Sequence, residues 1–156
     1  MGSALLLPLV VSACDIDPPP REDAAGEPVV EPPEDSALVA SVVAAVSAAA
    51  EVVAAASDVT PTLAARLDGL ARDHAAHLDL LVGAVADADV PSPGAVSVPA
   101  RPALALAAVR RSEQRLLRTL RQSCVAAASG DLARVLASVA ASVSQHLATL
   151  APEPVP

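Results

Sequence analysis

Four residues of this 156-residue chain combine suitable chemistry with suitable spacing: His74, His77, Glu113 and His146. On a helical wheel of 100° per residue, Leu106, Val109, Leu116, Leu117, Leu120 and Cys124 fall within about 60° of Glu113, while Arg111, Arg115, Arg118 and Gln122 lie opposite. A helix through Glu113 therefore buries it, and a buried carboxylate must be paired or protonated. Its candidate partners are the chain's three histidines, which sit in apolar stripes of other segments. His74 and His77 share a stripe with Leu63, Leu67, Leu70 and Leu81, and His146 lies in line with Leu132, Val135, Val139, Val143 and Leu150. Three imidazoles and one carboxylate have two chemical uses. They can form a polar layer in which the rings hydrogen-bond and neutralise the acid, or they can hold a single Zn or Fe ion. Core histidines are commoner than ligands, and no carboxylate stands out to orient a ring: Asp73 could do so but reads as an ordinary solvated neighbour. The polar layer is the favoured expectation.

The elements that would position these residues are helices. Asp35-Ser36 offers an N-cap for a first helix running to about Ser57, with Val39, Val42, Val43, Val46 and Val53 on one face and Glu51 on a solvated one. This helix is weakly apolar all round. Ala and Ser insert poorly into a bilayer and Glu51 would lie in the span, so cover by another segment or a second copy, as in a homodimer, is expected in place of lipid. Thr60-Pro61 caps and opens a second helix reaching about Asp87. Residues 88–101 carry Pro91, Pro93, Gly94 and Pro99 and read as an extended crossing. Pro102 opens the Glu113 helix, which stops at Ser129-Gly130, and Asp131 caps a fourth helix that Pro152 ends. The expected fold is an all-α four-helix bundle with a long connection between helices two and three.

Heights along the bundle bring the polar residues together. Glu113 lies 17 residues before Gly130 and His146 lies 16 after it, which at 1.5 Å per residue makes them level. His74 stands 13 residues past Pro61 and Glu113 stands 11 past Pro102, within about 3 Å of height if the connection is a full crossover. A simple turn after Asp87 gives a similar match.

Composition limits the remaining functions. The chain has no Phe, Tyr or Trp, no lysine and a net charge of −8, a lack of stacking platforms and of overall positive charge that argues against nucleic-acid binding. Its Ala, Val, Leu, Pro and Arg have GC-rich codons, as in a high-GC bacterium. Eight acids and one arginine fall between Asp15 and Asp35, a net −7 that leaves only −1 elsewhere. Residues 15–35 therefore read as a disordered, acidic, proline-rich linker, followed by the bundle at 36–151 and a short tail at 152–156. The apolar run from Ala4 to Val11 has the length of a signal-peptide core. It ends in Val11-Ser12-Ala13-Cys14, which resembles a bacterial lipobox. That resemblance implies a signal peptide over 1–14, a lipid on Cys14, a membrane-anchored extracytoplasmic location, and a tether of up to roughly 60 Å at polyproline rise. Leu6, where Ser or Thr is required, excludes N-myristoylation. With Cys14 lipidated, Cys124 has no partner and reads as a small buried hydrophobe. Arg111, Arg115 and Arg118 form a basic stripe that is either a solvated face or a contact for an anionic envelope surface.

A bundle with a long second connection, a core Glu113 on helix three, and His77 and His146 on helices two and four resembles the ferritin-like superfamily, in the manner of a divergent secreted actinobacterial lipoprotein. In di-iron members of that superfamily, helices one and three each give a Glu and helices two and four each give Glu-x-x-His. Here His74 and Val143 stand where the second and fourth helices should offer Glu, and helix one offers Val43, Val46 and Ser47 at that height. Both bridging carboxylates are missing, so the resemblance implies at most a mononuclear site. No nucleophile motif, phosphate loop or catalytic acid pair is present. The leading expectation is a non-catalytic binding or structural bundle in the cell envelope, and the alternative is a metal-binding one.

Overall fold

The structure is a computed structural model and describes residues 33–83, 94 and 96–151. These residues form four α-helices, with no strand among them: α1 (Pro33–Val59), α2 (Pro61–Val82), α3 (Pro102–Ala126) and α4 (Gly130–Thr149). Good helix formers fill their interiors, and Pro61 and Pro102 stand in the first turn of α2 and α3, where a missing N–H costs nothing. The leader, Cys14, most of the acidic linker and the tail lie outside the described residues.

Two apolar clusters fill the bundle and define its topology. In the first, Val39, Val42, Val43, Val46 and Ala49 from the first half of α1 pack with Leu81 near the end of α2, Leu116 and Leu120 in the second half of α3, and Leu132 through Val143 of α4. In the second, Val52, Val53 and Ala56 pack with Leu63, Leu67 and Leu70 at the start of α2, Ala105 and Val109 at the start of α3, and Leu150 at the end of α4. Thus α2 and α3 both run antiparallel to α1, and α4 runs parallel to it. Helices α2 and α3 therefore point the same way. The described end of the connection lies at the second cluster: Val96 and Val98 pack on it, and Thr60 Oγ1 donates to Ala100 O at 3.3 Å. The crossover therefore supplies part of the cover that the apolar α1 requires. Close helix pairs are α1 with α2, α1 with α3 and α3 with α4, whereas α2 meets α3 and α4 over only a short length.

Val39, Val42, Val43, Val46 and Val53 are all buried and Glu51 is exposed, as their spacing predicts. Asp35–Val59 also has the length and apolarity of a membrane-crossing helix, with a mean hydropathy of 2.1 over an 18-residue window, but its valine face forms the core shared with the other helices.

Several boundaries differ from the sequence expectation, and at Asp35 and Thr60 the cap side chain is used elsewhere. Helix α1 begins at Pro33, so Asp35 is neither linker nor N-cap. It is 1% exposed, and its carboxylate accepts from Ala128 N at 2.9 Å and Ser129 N at 2.8 Å, satisfying the turn between α3 and α4. Thr60 makes no cap bond because its hydroxyl goes to the crossover. Helix α2 ends at Val82 with Gly83 as its C-cap, five residues before Asp87. Helix α3 ends at Ala126, and Gly130 begins α4 in place of terminating α3. Ser129, not Asp131, caps α4, accepting from Leu132 N at 3.3 Å, while Asp131 pairs with Arg134 in solvent.

Candidate metal centre

Between the apolar clusters, α2, α3 and α4 each contribute one polar side chain. His74 and Glu113 are fully buried and His146 is 8% exposed. Leu67 and Leu70 fix the rotation of α2 that turns His74 inward, Val109 and Leu116 flank Glu113 one turn to either side, and Val143 leads to His146 on α4. His74 Nε2 lies 2.9 Å from Glu113 Oε1. The other carboxylate oxygen, Oε2, lies 3.4 Å from His146 Nδ1. The remaining ring nitrogen, His146 Nε2, contacts Asp73 Oδ2 at 3.0 Å and the Ser142 hydroxyl at 3.4 Å. The chain of contacts runs from α2 to α3 to α4 and back to α2.

The electrostatics follow from this geometry. Burial pushes the Glu113 carboxyl up, but hydrogen bonds from His146 and His74, with their positive charge, outweigh it and leave Glu113 more acidic than an ordinary glutamate. Burial likewise pulls His146 down, but its bonds to Glu113 and Asp73 prevail and raise its pKa. His77 moves the other way: burial, then the charges of His74 and His146, hold it below its usual value against the pull of Asp73 and Glu113.

His74, Glu113 and His146 each offer one ligand atom, and these atoms lie within 4.8 Å of one another. A tetrahedral ion with bonds of about 2.0–2.1 Å places its donors about 3.4 Å apart. The His146 Nδ1–Glu113 Oε2 contact has that spacing, whereas His74 Nε2 meets the other oxygen, Oε1, at 2.9 Å, so the carboxylate must turn for both rings to share one ion with it. His74 Nδ1 is buried without a hydrogen-bond partner. Three donors from three helices are one short of the tetrahedral set of a single ion. A pair of irons does not fit, since Glu113 is the only acid among the three buried ligands.

Of the four sequence-selected residues, the structure gathers three. His77 stays aside: it is half-buried, its ring centroid lies 6.3 Å from that of His74, and its Nδ1 is unpartnered. Asp73, read from the sequence as a solvated neighbour, contacts His146 instead. The signal for Asp73 was its position one residue before His74, on the flank of the stripe, but only the approach of α4 distinguishes that flank from solvent. Arg111, Arg115 and Arg118 are exposed, and none forms an ion pair among the described residues. Arg111 and Arg115 border a groove of about 440 Å³ floored by Ala45, Ala49 and Val52. Cys124 is half-buried against the first cluster with a free thiol. Comparison with protein-family models, curated proteins and solved structures returns no match.

Proposed function

We propose that this chain is a divergent ferritin-like bundle that binds one divalent ion, Zn(II) or Fe(II), between His74, Glu113 and His146, presented outside the cytoplasm on a lipid carried by Cys14. The observation that carries the reading is the convergence of three buried donors from three helices within 4.8 Å. Two imidazoles and a carboxylate suit borderline ions, as in zinc sites and in mononuclear iron sites with open positions. The parallel course of α2 and α3 supports the ferritin-like topology, and the missing bridging carboxylates make the centre mononuclear. A bound ion would be held by His74, Glu113 and His146 and would supply a Lewis-acid centre there. The role is to bind or buffer the ion at the cell envelope.

The test is elemental analysis of protein purified without chelator, followed by thermal melts with added Zn(II) or Fe(II). One equivalent of metal and a raised melting temperature are expected, the gain reaching about 2.7 kcal/mol at a free ion concentration a hundredfold above the dissociation constant. Both effects disappear in His74→Ala and His146→Ala. No bound metal and no shift in the wild type would sink the reading. The second reading, a metal-free polar layer in a structural envelope protein, draws on the direct 2.9 Å bond between His74 and Glu113 and predicts that null result. The anchor is tested separately: Cys14→Ala releases the protein from the membrane fraction, and mass spectrometry finds the lipid on wild-type Cys14.

A further inference from the structure

His146 meets two carboxylates with its two ring nitrogens, Nε2 at 3.0 Å from Asp73 Oδ2 and Nδ1 at 3.4 Å from Glu113 Oε2. A neutral imidazole has one N–H and one lone pair, so only one of these contacts is an ordinary hydrogen bond. The shorter one takes the proton: Nε2–H donates to Asp73. The Nδ1 lone pair then faces a carboxylate oxygen at 3.4 Å, an arrangement that repels unless a cation lies between them. The cation is either a proton on Nδ1 or a metal ion bound to both atoms. Ser142 Oγ, at 3.4 Å from the same Nε2, is the weaker partner, and its rotatable hydroxyl does not dictate the tautomer.

The burial gradient separates the roles. The Glu113 side chain is 0% exposed, that of His146 10% and that of Asp73 55%. Asp73 therefore remains hydrated at the rim of the α2–α4 seam and touches the layer only through the outer nitrogen of His146. It does not belong to the set of mutually close donors.

We propose that Asp73 is the positioning residue of the centre, accepting the Nε2 proton of His146 and so turning the Nδ1 lone pair toward an ion shared with Glu113. This inference rests on reading His74, Glu113 and His146 as a metal site. A carboxylate behind a metal-bound imidazole fixes the ring's orientation and increases its basicity, and losing it costs about 10–100-fold in metal affinity. Because Asp73 and His74 are consecutive on α2, one turn of helix supplies both a ligand and the group that orients the ligand on α4.

The experiment compares full-length wild type, Asp73→Ala, Asp73→Asn and Asp73→Glu. Zn(II) affinity is measured by competition with a chromophoric chelator, and the His146 tautomer by long-range proton–nitrogen spectra of the imidazoles. Asp73→Ala is expected to weaken Zn(II) binding about 10–100-fold with only a small fall in the metal-free melting temperature, since the side chain is mostly in solvent. Asp73→Asn, which keeps the shape and loses the charge, falls between, and Asp73→Glu recovers part of the loss. In the zinc-loaded wild type, His146 shows its proton on Nε2 and the metal on Nδ1. Unchanged affinity in Asp73→Ala, or zinc on Nε2, overturns the positioning role while leaving the site intact. Failure of the wild type to take up Zn(II) overturns both.

Discussion

Between α1 and α3 the helices meet through valine, alanine and leucine in both apolar clusters, whereas α2 approaches α3 and α4 over a short length, where His74, Glu113, His146 and Asp73 join. The first seam is held by burial, which is indifferent to protons and ions. The second is held by groups whose attraction depends on which of them carries charge. Helix α2 has apolar anchors toward both ends, Leu63 and Leu67 near the start and Leu81 near the finish, so its middle can tolerate a polar layer. The comparison teaches where a conditional interaction can sit in a small bundle: on the element whose packing is already secured elsewhere.

Three changes probe that contrast, in decreasing order of effect. Leu120→Ala removes a side chain with 0% exposure from the first cluster and is expected to cost about 2–5 kcal/mol. Denaturant melts at several pH values should give the same loss at each. A strong pH dependence would show that the apolar seam is coupled to the polar layer.

Glu113→Gln removes the charge at the centre of the layer and is expected to cost about 1–3 kcal/mol in metal-free protein. Here the cost should vary with pH. Glu113 has a folded pKa below its usual 4.5, so its stabilisation is present above that value and is lost as pH falls through the lower folded pKa. His146 has a folded pKa above 6.5, so its share is complete below 6.5 and is lost as pH rises through the folded pKa. The difference between wild type and Glu113→Gln should therefore peak between pH 4.5 and 6.5 and shrink on both sides. His77 works against the layer, because its lowered pKa makes the folded state less stable as pH falls past 6.5. Subtracting the two melts cancels most of that contribution. A flat difference from pH 4 to 8 would mean that the layer acts as neutral hydrogen bonds.

Asp68→Ala breaks the 3.1 Å pair with Arg72 on the outer face of α2, where both side chains are mostly exposed. The expected change is within about 0.5 kcal/mol and fades with added salt. A loss comparable to that of Glu113→Gln would contradict the idea that burial gives the inner pair its weight.

Much of the bundle was legible because helical periodicity is a local property. Valines and leucines at three- and four-residue spacing placed every helix, and the same wheel marked Glu113 as inward, since its neighbours one turn away are Val109 and Leu116. Heights counted from Pro61, Pro102 and Gly130 put His74, Glu113 and His146 in one layer, because rise per residue is nearly constant in a helix. Capping was read less well. Asp35 and Thr60 have the chemistry of N-caps, but each found a partner distant in sequence, at Ser129 and Ala100, and no local pattern reveals a bond that closes only after the helices dock.

Periodicity and spacing along the chain dictate that four helices form, which stripe of each turns inward, and that a carboxylate and histidines meet at mid-height. The parallel course of α2 and α3 and the rotation of α2 against α4 emerge when the helices dock. That rotation leaves His77 to one side and brings Asp73 to His146. A wheel describes one helix alone, whereas the turn of α2 about its axis is a compromise among the neighbours it packs against, so residues on the edge of its stripe acquire their roles only when those neighbours are in place.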